Sequence, residues 1–423
     1  MSEKSLPRVL VLGGGFGGLW AVRALARAPV RVTLVDRCNH HLFQPLLYQV
    51  ATAGLSSPDI AAPLRHILRR QANAEVRLAE AVAIEPDARR VRLGDGSALD
   101  YDFLIVATGA THAYFGHDDW EPYAPGLKTL DDALRLRRRL LLAFERAEAE
   151  SDPARRAQWL SFAIVGGGPT GVELAGTLAE IAHHTLKREF RHIDPATARV
   201  RLIEAGPRVL AQFPAVLSAK AQAQLERLGV EVLTNTKVDA IDAVGCRIGD
   251  ADLPARTVIW AAGVAASPLA RTLGAPLDRA GRVAVAADLS LPARPDIFVV
   301  GDLAHVEQDG APVPGVAPAA KQMGRHAASA IRTRLAGGTA AAFRYFDSGS
   351  LATIGRMAAV VDLRGLRFSG AAAWWFWLLA HVFFLIGFRN RLSVLLNWTW
   401  AYWSYQRAAR IIVGKDEETR ADG

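Results

Sequence analysis

Two glycine-rich stretches of nearly the same sequence, far apart in the chain, restrict its fold most strongly. They are VLVLGGGFGGLWAV, with Gly13, Gly15 and Gly18, and FAIVGGGPTGVELAG, with Gly166, Gly168 and Gly171. Each follows an apolar run typical of a strand and precedes a helical pattern. In such a unit the first glycine makes the tight turn, the second admits a pyrophosphate, and the third permits close helix–strand packing. The near-repeat therefore predicts two dinucleotide-binding units.

An acidic residue at the end of the next strand completes each unit. Asp36 ends the run VRVTLVD, eighteen residues after Gly18, close to the spacing expected for a carboxylate that binds a ribose. Glu204 ends RVRLIE, thirty-three residues after Gly171, and the surplus is expected to form a helix extension and a loop. A carboxylate at Glu204 would repel a 2′-phosphate and so favours NADH over NADPH. The alternative for Glu204 is a solvated charge at a strand end.

The two halves also end alike. YDFLIVATGA and ARTVIWAAGV place Gly109 and Gly263 at nearly equal distances after their fingerprints, and a further strand-like run, DIFVVGDLAH, leads to Asp302. Between the halves, a segment rich in Pro, Gly and aromatic residues is a candidate connection.

Composition excludes several classes. The 423 residues carry a net charge of +8, but Lys and Arg are scattered, so no nucleic-acid partner is expected. Cys38 and Cys246 are the only cysteines, which gives no disulfide framework and no redox pair and suggests a reducing compartment. His40 and His41 lack further ligands at zinc-like spacing, so no metal site is expected. The N-terminus predicts no signal peptide.

The C-terminal part is unusually apolar and aromatic. Residues 371–388 contain a single ionisable side chain, His381, and six of the ten tryptophans lie in this tail. Tryptophan with flanking arginine (389, 391, 407, 410) is typical of helices that lie on a membrane surface, although length alone leaves a single span open. A polar row (Ser393, Asn397, Ser404, Arg407) predicts a second helix lying on the bilayer, with Leu395, Trp398 and Tyr402 turned away from that row. The alternative is that both helices cover a soluble core.

Several stretches together resemble one family, the type II NADH dehydrogenases, which are single-chain NADH:quinone oxidoreductases with two dinucleotide-binding domains. The stretches are the two fingerprints, DRCNHHLFQPLLYQVATAGLS, FVVGDLAH, GVAPAAKQMGRHAA and HVFFLIGFRNRLSVLLNW, which span most of residues 7–415. The resemblance implies an α/β fold with two Rossmann-like domains, for FAD and NADH, and a C-terminal amphipathic helical tail that anchors the protein to a membrane.

The resemblance and the residue pattern together assign the cofactor sites. Non-covalent FAD is expected at Gly13, Gly15, Gly18, Asp36, Arg37, His41, Gln44, Thr108, Gly109, Asp302 and Ala319. NADH is expected at Gly166, Gly168, Gly171, Glu204 and Gly263. The purely structural alternatives are that Asp302 caps a turn and that Leu46, Leu47 and Tyr48 pack in an ordinary core.

Three residues are candidates for the catalytic chemistry. Glu173, expected in the first turn of the helix after the second fingerprint, is implied to position NADH and to take part in proton delivery. Lys321 and Gln322 occur where relatives carry an Ala-Gln-containing quinone-site pattern, and it stays open which of the two faces the quinone. A helix beginning near Pro318 and ending at Leu335 would stabilise negative charge on a reduced flavin. The alternative for Glu173 is a carboxylate that only supports the helix dipole, and the alternative for Lys321 is a solvated charge on the helix.

The predicted division is FAD domain 1–120, NADH domain 121–289, FAD domain again 290–340, and a membrane-associating region 341–423. The expected reaction passes a hydride from NADH to flavin N5 and then electrons to a membrane quinone, without proton pumping. The expected location is the cytoplasmic face of the cell membrane, as a peripheral or monotopic protein, and a homodimer is allowed. The rival functions are a flavin reductase for a soluble ferredoxin-type acceptor, a sulfide:quinone reductase, and a membrane-tethered NADH sensor.

Overall fold

The computed structural model describes residues 6–386, 388–404, 407 and 409–413, without the side chains of 388, 389 and 401–404. The helices are α1 (Phe16–Ala24), α2 (Leu47–Ala51), α3 (Ser57–Ile60), α4 (Leu64–Leu68), α5 (Leu130–Ala149), α6 (Pro153–Trp159), α7 (Pro169–Glu180), α8 (Ala215–Arg227), α9 (Ala317–Leu335), α10 (Ala371–Phe384) and α11 (Phe388–Ser404).

The strands are β1 (Arg8–Leu12), β2 (Arg31–Asp36), β3 (His40–Leu42), β4 (Ala61–Pro63), β5 (Ala74–Leu78), β6 (Ala81–Glu85), β7 (Arg90–Leu93), β8 (Ala98–Asp100), β9 (Phe103–Val106), β10 (Ala110–His112), β11 (Ser161–Val165), β12 (Arg199–Ile203), β13 (Val230–Leu233), β14 (Ala240–Ile241), β15 (Gly245–Ile248), β16 (Ala251–Pro254), β17 (Thr257–Trp260), β18 (Val264–Ala266), β19 (Val283–Ala284), β20 (Ser290–Leu291), β21 (Arg294–Val299), β22 (Ala304–His305), β23 (Glu307–Gln308), β24 (Ala311–Pro312), β25 (Ser350–Gly355), β26 (Ala358–Leu363) and β27 (Leu366–Ser369).

The chain forms two compact units. The first comprises the described residues up to Leu42, then Ala61–Thr111 and Val264–Ser348; the second comprises Phe43–Ile60, His112–Gly263 and the described residues from Gly349 onward. The predicted division into FAD, NADH and tail regions, which is stated in terms of cofactors, stays a prediction.

The first unit is built on a six-stranded sheet in the order β20-β21-β9-β1-β2-β5. All neighbours from β21 to β5 are parallel, and β20 is antiparallel to β21. Strand β1 is entirely buried except for its first residue, which suits a strand covered on both faces. Strand β1 lies between β2, the next strand along the chain, and β9, to which the chain returns after β5, so the strand order reverses at β1 and a crevice opens at its carboxyl end.

The second unit repeats this arrangement in a four-stranded parallel sheet, β13-β12-β11-β17. Strand β11 is buried along its whole length and lies between β12, the next strand along the chain, and β17, to which the chain returns later. The aromatic connecting segment contributes Tyr114 and Trp120 to the core of this unit, where Tyr114 stacks on Trp260 with ring centroids 5.2 Å apart. The segment is therefore more than a simple connection.

The tail belongs to the second unit. The apolar run is broken, because Leu385 adopts an extended conformation (ψ 137°) between α10 and α11. No helix in the described part of the chain combines the length and the apolar character needed to cross a membrane.

The sequence pattern did not specify which side of α11 faces the protein. Ser393 and Asn397 turn inward and donate hydrogen bonds to the buried carboxylate of Asp59, at 2.6 and 3.2 Å, and Trp398 is also buried. The buried carboxylate of Asp59 needs these donors, so this part of the polar row faces the protein. The predictions for the side chains of Arg389, Tyr402, Trp403 and Ser404 lie outside the described residues.

Close contact between α1 and α9 in the first unit generates a stability prediction. A Cβ atom at Gly324 would lie 2.1 Å from the carbonyl oxygen of Gly17. In an isolated helix, Gly→Ala is stabilising by roughly 1 kcal/mol. At Gly324 the added methyl group would overlap Gly17, so we expect Gly324→Ala to lower the free energy of unfolding by about 2 kcal/mol instead. Chemical denaturation measures this. The exposed Ser329→Ala on the same helix should have little effect, and a stabilised Gly324→Ala protein would contradict the packing.

Candidate active site

The first fingerprint forms a turn that only glycine fits. Gly13 has a φ of +99°, and a Cβ atom there would lie 2.3 Å from the carbonyl oxygen of Ala107. A Cβ at Gly18 would lie 1.8 Å from the carbonyl oxygen of Gly13, so helix and strand touch at this point. At Gly15, in contrast, no atom would come within 4 Å of a Cβ. That open space, beside the uncapped N-terminus of α1, suits a pyrophosphate.

Asp36 braces the same turn. Its carboxylate accepts hydrogen bonds from the backbone N–H of Gly14, at 2.5 Å, and of Cys38, at 2.6 Å. Burial raises the pKa of Asp36, and the two N–H groups oppose that rise. Arg37 is exposed, and its positive charge also lowers the pKa of Asp36. Asp36 therefore lies where the fingerprint predicts an acid for the ribose.

Two buried polar atoms near this turn have no partner within the described structure. Nδ1 of His41 donates a hydrogen bond to the carbonyl oxygen of Gly14, at 2.8 Å. In the neutral ring Nε2 is then an acceptor, and it has no partner. Burial lowers the pKa of His41 to about 4, which keeps the ring neutral. The hydroxyl oxygen of Thr108, beside Gly109 (φ +68°), is also buried and unpaired. Since buried polar groups are normally satisfied, a polar ligand such as a dinucleotide fits here.

Asp302 reaches the same edge of the sheet from the neighbouring strand. It lies in a short 3₁₀ turn (Gly301–Leu303) just after β21, and its carboxylate lies 3.4 Å from where a Cβ of Gly315 would be. Ala319 is buried in the first turn of α9, whose N-terminus has no side-chain cap. Gln44 is partly buried and falls in the second unit. The start of α9 at Ala317 and its end at Leu335 agree with the prediction.

Lys321 lies over two aromatic rings of α1. Its Nζ is 4.9 Å from the ring centroid of Phe16 and 4.8 Å from that of Trp20, a cation–π arrangement. Burial, and then the charge of Arg325, lower the pKa of Lys321 to about 8. Lys321 is thus a positive group held in place on the first unit, and the expectation of a freely solvated lysine does not apply.

Gln322 has a different environment. Its amide donates to the carbonyl oxygen of Phe346 and accepts from the N–H of Phe346, both at 2.9 Å. Both ends of the side chain are engaged in tying the segment after α9 to that helix. Of the two residues that the sequence could not separate, Lys321 is therefore the better candidate for a contact with a bound molecule.

The second fingerprint reproduces the first in the second unit. Gly166 has a φ of +113°, a Cβ at Gly171 would lie 1.9 Å from the carbonyl oxygen of Gly166, and Gly168 again faces open space. Glu204 takes the place of Asp36: it accepts from the N–H of Gly167 and of Gly206, both at 2.6 Å. The prediction of Glu204 as the acidic partner agrees with this geometry, and a merely solvated strand-end charge does not.

Two other parts of the second site also have clear structural reasons. The surplus before Glu204 forms a π-helical turn (Ile181–Thr185) that extends α7, followed by a loop, as expected. A Cβ at Gly263 would lie 2.4 Å from the ring of Phe115, so the glycine leaves room for that exposed aromatic side chain.

Glu173 lies one turn later than predicted. Helix α7 begins at Pro169, so Glu173 is its fifth residue, and the first turn contains no acidic side chain. Because the dipole effect fades beyond the first turn, it does not account for this carboxyl. Burial raises the pKa of Glu173 well above its usual value, against a hydrogen bond from the backbone N–H of Thr353. Burial therefore favours the protonated, neutral form of the Glu173 carboxyl.

Sequence reasoning missed a cavity in the second unit, between α7 and the tail. The cavity, called here the tail cavity, has a volume of about 110 Å³. It is lined by Tyr48, Gln49, Gly54, Thr177, Glu180, Thr185, Thr353, Gly355, Arg356, Trp374, Trp377, Trp398 and Arg407. These residues come from segments hundreds of positions apart, so no local pattern signals the cavity.

The families and proteins that this chain is similar to agree with this geometry. Residues 7–324 match the pyridine nucleotide-disulphide oxidoreductase family, and residues 348–403 match the NDH2 C-terminal domain. The fold and its two cradles thus define a flavoprotein oxidoreductase of that class.

Individual relatives show which family within this class the chain belongs to. The chain is 47% identical to the type II NADH:quinone oxidoreductase Ndh of Mycobacterium tuberculosis, over 98% of this chain and 92% of the relative. It is 31% identical to the demethylphylloquinone reductase NdbB of Synechocystis, over 93% and 95%. The structure of NDH2 from Plasmodium falciparum in complex with NADH superposes with a TM-score of 0.88 over 96% of this chain and all of that one, at 20% identity. The chain belongs to the type II NADH:quinone oxidoreductases, which confirms the predicted family, enzyme class, FAD and NADH.

One rival is disfavoured by the cysteines. A sulfide:quinone oxidoreductase from Aquifex aeolicus shares the fold, with a TM-score of 0.73 at 20% identity over 92% of each chain. Here, however, Cys246 is buried in β15, and burial raises the pKa of its thiol to about 11, which makes it a poor nucleophile.

The paired open glycines generate a matched prediction. Gly15→Ala and Gly168→Ala both place a methyl group where no protein atom lies within 4 Å, at φ values of −69° and −71° that alanine tolerates. We expect both variants to fold normally. Gly15→Ala should lose FAD, measured by the ratio of flavin to protein absorbance, whereas Gly168→Ala should keep FAD and bind NADH at least about tenfold more weakly. Loss of FAD from Gly168→Ala alone would show that the two cradles are assigned in reverse.

Proposed function

We propose that this chain oxidises NADH with FAD bound in the first unit and reduces a quinone at the cytoplasmic face of the cell membrane. The observation that carries the proposal is the repeated cradle, in which a tight glycine turn, an open glycine and a braced carboxylate occur once in each unit. Two cradles imply two dinucleotides, one retained and one exchanged. The relatives are named for NADH and quinone, which supports the same reaction here.

In this proposal, the residues of the first cradle hold FAD. Gly13, Gly15 and Gly18 admit its pyrophosphate, Asp36 binds its ribose, and the unpaired atoms of His41 and Thr108 gain partners. Arg37, Gln44, Gly109, Asp302 and Ala319 complete the predicted contacts. FAD, when bound, supplies the redox chemistry by accepting two electrons from NADH and passing them to the quinone.

The residues of the second cradle select and orient NADH. Glu204 already uses both carboxylate oxygens to brace the turn, and a 2′-phosphate near it would meet an unfavourable negative charge. Burial favours the protonated form of Glu173, and in that form the carboxyl can donate a hydrogen bond or a proton. Lys321 offers a positive charge held against Phe16 and Trp20, which would favour a reduced, negatively charged partner.

An anaerobic stopped-flow experiment tests the reaction directly. NADH should bleach the flavin absorbance of the FAD-loaded protein, and a short-chain ubiquinone analogue should restore it. NADPH should bleach it at least about tenfold more slowly, because of Glu204. Bleaching by NADH without recovery on quinone addition would reject the proposed function in favour of a protein acceptor or a sensor.

The tail supplies the membrane contact in this proposal. A row of exposed apolar side chains, here called the apolar face, runs along α10 and α11: Trp375, Leu379, Phe383, Phe384, Leu392, Leu395, Leu396 and Trp400. Several of these residues recur at intervals of four, which places them on one side of each helix. Since a quinone with a long isoprenoid chain stays in lipid, an apolar face that inserts into the interface brings the enzyme to its substrate. A homodimer stays a prediction.

Charge placed on the apolar face tests this contact. We expect Phe383→Glu together with Leu396→Glu to abolish sedimentation with anionic lipid vesicles and to lower activity with a long-chain quinone about tenfold or more, because buried charge is costly at the interface. Activity with a water-soluble quinone should stay the same. Val216→Glu is the control, because Val216 is 63% exposed on α8 of the same unit. Unchanged vesicle binding by the double variant would refute the assignment.

A further inference from the structure

Phe115, in the second unit, combines two unfavourable features. Its side chain is 69% exposed, although phenylalanine is among the residues most often buried, and its backbone has a φ of +55°. In this left-handed region the Cβ atom crowds the following carbonyl oxygen, so a bulky residue rarely adopts it. Because both the exposure and the backbone conformation carry a cost, the contacts around Phe115 must hold it in this position.

Three contacts of the two preceding residues fix where Phe115 lies. The N–H of Ala113 donates to the carbonyl oxygen of Gly263 at 3.2 Å, and the carbonyl oxygen of Ala113 accepts from Trp260 Nε1 at 2.9 Å. Tyr114 is buried and stacks on Trp260, with ring centroids 5.2 Å apart. The ring of Phe115 is thereby placed against Gly263, where a Cβ atom would lie 2.4 Å from it.

Gly263 follows the strand that adjoins the second cradle. Strand β17 is parallel to β11, and the N–H of Ala261, just after β17, donates to the carbonyl oxygen of Val165, the last residue of β11, at 2.7 Å. A Cβ atom at Gly166, in the fingerprint turn, would lie 2.5 Å from the carbonyl carbon of Ala261. Since Gly263 is only two residues further along, the ring of Phe115 lies at the rim of this cradle.

The strand order decides which half of a dinucleotide comes close to this ring. Strand β12, which Glu204 directly follows, lies on one side of β11, and β17 lies on the other. If NADH binds this cradle as proposed, Glu204 meets the adenosine ribose and the pyrophosphate lies in the open space at Gly168. The other half of the molecule, which carries the nicotinamide, then continues toward β17, the side on which Phe115 lies.

We propose that the ring of Phe115 is a platform on which the nicotinamide end of the dinucleotide packs. The nicotinamide is a flat ring that can contact an aromatic side chain face to face or edge to face, and in NAD⁺ its positive charge is attracted to an aromatic face. A ring that is already held in one position loses little freedom when the ligand binds. The sequence assigns an NADH contact to Gly263, and Phe115, which lies against that glycine, provides the larger surface. This inference rests on the proposed function and adds a binding residue to it.

Replacing Phe115 by glycine separates binding from folding. Glycine adopts a φ of +55° without the steric cost, so we expect the midpoint of chemical denaturation of Phe115→Gly to stay the same or rise. The FAD-loaded variant should bind NAD⁺ about tenfold more weakly in isothermal titration calorimetry, because the contact between the rings is lost. ADP-ribose, which lacks the nicotinamide, should bind with the wild-type affinity. Phe115→Leu, which keeps an apolar side chain of similar size, should show the same selective loss to a smaller extent.

Met357→Gly is the matched control. Met357 also has a left-handed backbone, with a φ of +57°, and an apolar side chain that is 39% exposed in the second unit. It lies in the turn between β25 and β26, outside the segment that packs on Gly263. The same substitution therefore relieves the same kind of backbone strain without removing the platform, and we expect wild-type affinities for both NAD⁺ and ADP-ribose.

The outcomes separate the platform from the reaction itself. Wild-type affinity of Phe115→Gly for NAD⁺ would refute the platform and leave the proposed function standing. Equal losses of affinity for NAD⁺ and ADP-ribose would also refute it, because the ring would then act on the cradle as a whole. Failure of the wild-type protein to bind NAD⁺ and to be bleached by NADH would instead reject the proposed function, and the platform with it.

Discussion

Both dinucleotide cradles depend on one close contact, the approach of a helix to the turn before it. A Cβ atom at Gly18 or Gly171 would lie within 2 Å of a carbonyl oxygen, at 1.8 and 1.9 Å, so any side chain there would push the helix away. The same contact fixes where the uncapped helix N-terminus points. The acidic residues then hold the turn from the other side, through the N–H groups of Gly14 and Gly167. Strand, turn, helix and acid form a single unit that the sequence repeats.

This local character explains which features the sequence could predict. The strands and helices around the fingerprints, and the position of Glu204 beside the second turn, follow from strand–turn–helix patterns that can be recognised along the chain. The start of α7 was the exception in detail: Pro169 begins the helix, which moves Glu173 into the second turn. The hydrogen bond from Trp398 Nε1 to Gln49 Oε1 could not be predicted, because the two side chains meet only through packing between residues some 350 positions apart.

The inward direction of α11 shows a second limit of sequence patterns. Periodicity separates a polar face from an apolar face, but it does not say which one contacts the protein. Here the carboxylate of Asp59 decides, because it is buried and accepts bonds from Ser56, Ser393 and Asn397. Leaving that charge without donors would cost more than exposing a few leucines. Ser393 and Asn397 are therefore used in hydrogen bonds inside the protein. The apolar face stays exposed and can contact another apolar surface.

Helix α7 joins these features within the second unit. Its N-terminus forms the second cradle, its second turn carries Glu173, and its last residue, Glu180, pairs with Arg407 of the tail. Each role depends on a fixed distance along one rigid helix, and Gly176 holds that helix against β25, since a Cβ there would overlap the carbonyl oxygen of Ile354. An insertion before Glu180 would put the carboxyls out of register with the tail cavity. The extra residues before Glu204 instead follow Glu180, in the π-helical turn and the loop, where they change the length of the connection without moving any of the three roles.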